Sequence, residues 1–236
     1  MAVGIITGSG THALPGFDGG EPEPVATPWG VALVSSGRLA GVDVLHVSRH
    51  GAGHVRLSNH VTHRANIAAL ARAGAAGVVA VTVCGAVDPA VPLGSLICFD
   101  DLHFLSNRLP DGSLCTFFAE AGTPLRDGGC YGHVDGPRFN TRAEIRSLAA
   151  AGVTAVSQTA GPEAVLAGEA ELPFALVGYA TDYANGVQAE PTPVARLIEL
   201  IAASTEAFGR LFAAALPRID AAAPAPAGVV YRFHEA

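Results

Sequence analysis

Val78-Val79-Ala80-Val81-Thr82-Val83 is an unbroken, largely β-branched apolar run. A strand with one wet face would alternate; this pattern predicts a strand covered on both faces. Just upstream, Thr62 to Ala73 carries Ile67, Leu70 and Ala71 at helix spacing, with Gly74 placed to cap it. Further upstream, Ala2–Ile6 is a short apolar run ending in Thr7-Gly8-Ser9-Gly10, and Val31–Ser35 and Val42–Val47 read as two strands joined by Gly37-Arg38-Leu39-Ala40-Gly41. Downstream, Ser95–Phe99 reads as a strand and Thr141–Ala151 as a helix stopped by Gly152. Val153–Val156, Pro162–Glu169 and Phe174–Ala180 then read as strand, helix and strand, and Pro191 to Leu216 as a long amphipathic helix. Strands alternating with helices predict an α/β sheet flanked by helices, whose ligands gather at the carboxyl ends of the strands. One domain over 1–220 is expected, followed by an Ala/Pro-rich tail over 221–236.

Half of the 236 residues are hydrophobic and 15% are charged, which suits a chain with a sizeable core and not a disordered one. No stretch reaches the roughly 18 apolar residues of a membrane span, and the opening Met1 to Gly10 reads as a first strand, with no basic leader before it. A cytoplasmic protein without a membrane partner is expected. The net charge of −7 argues against a nucleic-acid partner, which calls for a basic face. Cys84, Cys98, Cys115 and Cys130 show no C-x-x-C spacing and read as reduced thiols. His50, His54, His60 and His63 are close in sequence but form no H-E-x-x-H pattern, so no metal site is expected.

Four polar clusters follow strand-like runs: Thr7–Gly10, Arg49-His50, Thr82–Gly85 and Thr181–Tyr183. Placed on strand ends, they converge on one site. The first is an ordinary tight turn or a nest of N–H groups around an anion, with Ser9 adding a hydroxyl. No G-x-x-x-x-G-K-[ST] or G-x-G-x-x-G pattern follows the strand, which leaves nucleoside triphosphates and dinucleotides unsupported. Arg49 offers a planar fork that suits phosphate, or a surface ion pair. Phe139, after Gly136-Pro137-Arg138, is a core residue or an aromatic face for a base. Thr159 serves the start of the helix around Pro162-Glu163, or donates to an anion; Glu163 complements the positive end of that helix. Asp182 is a solvated turn residue or a carboxylate that receives a proton.

Taken together, Ser48-Arg49-His50-Gly51, Asn66, Gly136 to Glu144 and Thr181-Asp182-Tyr183 resemble the methylthioadenosine phosphorylase and low-mass purine nucleoside phosphorylase family. The resemblance runs from Gly4 to about Ile219. It implies a mixed α/β sheet, usually a homotrimer, that cleaves a purine nucleoside with inorganic phosphate as the only co-substrate and no other cofactor. Position by position, it implies that Ser9, Arg49, His50, Thr82 and Thr159 hold phosphate, and that Phe139, Asn140 and Asp182 meet the base. It also places Gln158 at the ribose, where the family has Met, and Val194 and Ile198 on an apolar pocket for the 5′ substituent. Three departures bear on specificity. Ala184 stands where adenine-selective members carry a second Asp. Gln158 makes the ribose face more polar. The stretch between Asp101 and Gly136 is short and lacks a His-x-x-x-Ala-Asp-Pro segment. The resemblance thus implies a 5′-modified adenosine, with a 6-oxopurine nucleoside or a non-catalytic nucleoside binder as alternatives.

Overall fold

Twelve strands form one mixed sheet in the computed structural model, which describes residues 2–9, 11, 13–104, 125–219 and 225–226. Gly10, Cys115, most of the stretch between Asp101 and Gly136, and nearly all of the tail over 221–236 lie outside the described residues.

The valine-rich run is the heart of the sheet. Strand β6 (Ala75–Ala86) pairs in parallel with β1 (Ala2–Thr7) on one side and with β12 (Phe174–Tyr183) on the other. Alternate residues of β6 enter two different cores. Val78 and Ala80 pack with Ile6, Leu70, Ala164 and Leu176, while Val79 and Val81 pack with Ile5, Val177, Leu200 and Phe212. Helices α1 (His63–Arg72) and α3 (Ala160–Glu169) cover the first face, and α4 (Val194–Ala215) covers the second. Burying side chains such as Ile5, Ile6 and Phe212, each 0% exposed, contributes about 1.5–3 kcal/mol apiece. Helix α2 (Arg142–Ala150) packs Ile145 and Leu148 against Val153 and Val156 of β11 (Val153–Ser157), forming a third, smaller core at one end.

Beyond β1, the sheet continues through β5 (Val42–Ser48) to β4 (Gly30–Leu39), which is flanked by β2 (Asp18–Gly19) and β3 (Glu23–Thr27). Beyond β6 it continues through β11 to β10 (Cys130–His133) and β8 (Asp101–His103), while β7 (Leu96–Cys98) joins β12 to β9 (Leu125–Asp127).

Strand β4 runs to Leu39, so Gly37 and Arg38 belong to the strand and not to the loop expected there. The ladder to β5 holds them, and Asp18 packs so close to Gly37 that a Cβ there would come within 2.3 Å of its carbonyl oxygen. The turn itself is only Ala40-Gly41, both at positive φ, which matches the twist of a two-residue hairpin. Helix α4 begins at Val194 and not at Pro191, because Pro193 disfavours helical geometry at Thr192. The expected helix over Pro162–Glu169 starts two residues earlier, at Ala160. Among the described residues Cys84 and Cys130 are free thiols. Among the described residues no helix is long and apolar enough to cross a membrane, and no group of three or more His, Cys, Asp or Glu could hold a metal ion.

Candidate active site

A cavity of about 310 Å³ opens where β6, β11 and β12 end. Its wall includes Ser9 from the turn after β1, His50 from the end of β5, and Thr82 from β6. Thr159, at the start of α3, and Asp182, near the end of β12, complete the ring of strand-end groups. The four polar clusters that follow separate strands in sequence thus meet on one cavity. Phe139, Asn140 and Gln158 also line it.

One half is rich in donors. Thr82 is buried, and its hydroxyl lies 3.0 Å from Ser157 Oγ. Thr159 is buried at the N-cap of α3, yet its side chain makes no capping bond, so the hydroxyl is not spent on starting the helix. The N-terminus of α3 lies beside it; the Ala160 N–H donates to Tyr131 Oη at 3.2 Å and Pro162 has none, so it is chiefly the helix dipole that favours an anion there. His50 Nδ1 lies 2.8 Å from the Arg56 carbonyl, which can only accept, so Nδ1 carries the proton and Nε2 is the basic nitrogen. Its ring stacks on His54 at 4.2 Å. Burial, followed by the nearby charges of Arg49 and His54, outweighs that carbonyl bond and lowers His50 to about 4, so the imidazole is neutral at ordinary pH.

Arg49 departs from its expected place. It is 0% exposed and does not line the cavity. Its Nε and Nη2 donate to the two carboxylate oxygens of Glu163 at 2.6 and 2.7 Å, and Nη1 donates to the Val81 carbonyl at 2.8 Å. Glu163 is likewise 0% exposed. Burial alone would push its carboxyl up, but the Arg49 charge and contacts to His63 and Arg49 hold it at about 2. Glu163 therefore does more than complement a helix end; it binds a strand end 114 residues away.

The other half is built from loops. Asp182 follows a register shift in the β6–β12 ladder and pairs with Gly85. Bulges of this kind re-aim side chains next to active sites. Thr181 Oγ1 donates to Asp182 Oδ1 at 2.8 Å, while Oδ2 lies over Gly85. Burial raises the Asp182 carboxyl above its ordinary value, and the Thr181 bond only partly offsets it. Phe139 is 70% exposed, so it forms a flap at the mouth and no part of the core. Arg138 does not serve an anion: its fork grips Glu144, which also closes a capping box with Thr141 at the start of α2. Gln158 spends its amide on two loops, accepting from Ser58 Oγ at 3.1 Å and donating to the Arg138 carbonyl at 2.8 Å. A Cβ on Gly136 would strike Gln158 Oε1 at 2.0 Å and Ser58 Oγ at 2.1 Å, so only glycine fits beneath that bracket.

The last expected contacts need correction. Val194 and Ile198 are 70% and 61% exposed and do not line the cavity; Leu197 and Ile201 do. Helix α4 turns its 200, 204, 208 and 211 stripe into the core; at about 100° per residue Ile198 points furthest from that stripe, whereas Val194 shares the side of Ile201 but stands exposed at the first residue of the helix. Ser58, Ser157 and Asn185 also line the cavity. Their signals were weak: each is a small polar residue beside a recognised motif.

A family model described as the phosphorylase superfamily matches residues 2–217. The chain belongs to the phosphorylase superfamily. Among its relatives, an S-methyl-5′-thioadenosine phosphorylase of Mycobacterium tuberculosis is 34% identical, over 92% of this chain and 89% of that one. A 6-oxopurine nucleoside phosphorylase of Pyrococcus furiosus is 29% identical, over 92% of both. A methylthioadenosine phosphorylase from Schistosoma mansoni, solved in complex with adenine, superposes with a TM-score of 0.84 at 24% identity, covering 94% of this chain and 92% of that one. That likeness establishes the phosphorylase fold with its mixed α/β sheet.

Proposed function

We propose that this phosphorylase cleaves a purine nucleoside, a 5′-modified adenosine such as 5′-methylthioadenosine, with inorganic phosphate. The observation that carries the reading is a single cavity with hydroxyl donors and a helix N-terminus at one end and, at the other, a half-buried carboxyl raised above its ordinary value by burial. Phosphate lies against Ser9, His50, Thr82 and Thr159. Held beneath the sugar, it no longer has to be captured in a separate encounter, and its negative charge stabilises the oxocarbenium-like state. A phosphate oxygen forms the new bond to the anomeric carbon as the bond to N9 breaks, and the electron pair leaves with the purine. Neutral His50, its Nδ1–H fixed on Arg56, accepts from a phosphate O–H through Nε2. Asp182 Oδ2, the oxygen that Thr181 leaves free, faces N7; carrying a proton, it donates to N7 as the electron pair arrives, so the base leaves neutral and Asp182 is left ionised. Phe139 covers the base, and the apolar Leu197 and Ile201 suit a 5′-alkylthio group better than a hydroxyl.

Inorganic phosphate is the only co-substrate in this reading. The resemblance implies a homotrimer, and a cytoplasmic enzyme is part of the same proposal. A second base class, the 6-oxopurines, is favoured by one observation: position 184 is alanine and gives no second carboxylate against O6. Phosphate-dependent base release from methylthioadenosine, adenosine, methylthioinosine, inosine and guanosine separates the two. The 5′-modified adenosine should give the highest kcat/KM; a higher value for any 6-oxopurine nucleoside overturns the base assignment.

A further inference from the structure

We infer that Glu163 is the positioning residue of the phosphate cradle, acting through Arg49. This rests on the phosphorolysis reading and deepens it. The guanidinium has five N–H donors, and three are committed: two to Glu163 and one to the Val81 carbonyl. One N–H on each terminal nitrogen remains. Nη1 packs against Gly8, where a Cβ would come within 2.3 Å of it, so the free edge of the fork lies directly behind the Gly8-Ser9 turn. The main chain strengthens that link: the Arg49 N–H donates to the Thr7 carbonyl at 3.0 Å. Glu163 sits one turn into α3, the helix whose first residues follow Thr159. A single carboxylate therefore ties three parts of the cradle together: the turn after β1, the end of β5 that carries His50, and the start of α3. It also neutralises a charge that would otherwise be buried alone, leaving the fork to act through oriented N–H groups and not as a mobile cation.

A residue that only stabilised the fold would move every kinetic constant together. A positioning residue for phosphate should separate them. The test is initial-rate kinetics for wild type, Glu163→Asp and Glu163→Gln, varying phosphate and nucleoside independently, with thermal shifts by inorganic phosphate alone and by adenine alone. Glu163→Asp keeps the charge but is one methylene too short for the two-oxygen grip. It should raise the phosphate KM tenfold or more, leave the nucleoside KM within twofold, and lose the phosphate thermal shift while keeping that of adenine. Glu163→Gln, which faces Arg49 with a donor, should show a larger effect in the same direction. An unchanged phosphate KM, or equal changes in both KM values, overturns the inference. Should both single variants fail to fold, the double variant Arg49→Met/Glu163→Leu removes the pair without leaving a lone buried charge. It should bind adenine and not phosphate; retained phosphate binding overturns the inference equally. A wild type that releases base without phosphate, or not at all, removes the premise and overturns both readings.

Discussion

The two ends of the cavity are built differently. The end with Ser9, His50, Thr82 and Thr159 stands on strand and helix ends, and behind it lies the dry Arg49–Glu163 pair. The end with Phe139, Asn140 and Gln158 stands on loops and is held by exposed or half-exposed contacts such as Arg138 to Glu144 and Gln158 to Arg138. An invariant co-substrate such as phosphate suits the first construction, where every donor is pre-placed. A nucleoside that must enter and leave suits the second.

The largest expected effect breaks the rigid end. Arg49→Ala leaves the Glu163 carboxylate buried without its partner, which costs about 3–5 kcal/mol. For a chain of this size that lowers Tm by roughly 6–20 °C. A Tm within two degrees of wild type would show that the pair carries no such weight. Truncating exposed Arg138, by contrast, should leave Tm close to that of wild type, since its ion pair lies in water.

Acid should destabilise the fold next. His46, His50 and His133 are lowered to about 4, in each case chiefly by burial. The folded protein therefore resists protonation that the unfolded chain accepts below about 6.5. Stability is fully present above that pH and is lost as pH falls toward about 4. A thermal scan across pH 4–8 should show Tm falling through this window; a flat profile contradicts the assignment of neutral, buried imidazoles.

Base choice sharpens the loop end. Ionised Asp182 accepts from N6–H or from a protonated N7 and repels O6, while Asn offers a donor to O6. With Ala184 giving no second carboxylate, the preference for 6-aminopurines should be leaky, about 10–100-fold in kcat/KM. Asp182→Asn should shift it toward inosine-type substrates; an equal loss on both classes contradicts the role.

The contrast also explains what could be read from the sequence. Strands β1, β6 and β12 are legible because each is a largely continuous apolar run, and β5 because its apolar residues outnumber Asp43 and His46; the polar groups at their ends follow from that. Strand β3 contains Pro24 and β10 contains Gly132 and His133, so neither has a strand-like pattern; pairing with neighbours makes them strands. The bond between Arg49 and Glu163 spans 114 residues, and no local pattern encodes it. Gln158 has the same difficulty: its ribose-facing place was implied by resemblance, whereas its amide bridges Ser58 and Arg138. Val194 and Ile198 lie on the expected helix, but Leu197 and Ile201 are the residues of it that line the cavity. That correction gives the smallest prediction: Leu197→Ser should weaken discrimination between methylthioadenosine and adenosine by about tenfold, as loss of an apolar contact implies, and Ile198→Ser should leave it within twofold. Equal effects would contradict the orientation of α4.

The central claim is tested most directly by incubating the purified protein with 5′-methylthioadenosine, with and without inorganic phosphate, and measuring free base and sugar phosphate together. The account predicts adenine release only with phosphate present, matched one-to-one by a pentose 1-phosphate carrying the 5′ substituent. Release at the same rate without phosphate, or none from any purine nucleoside, would contradict it.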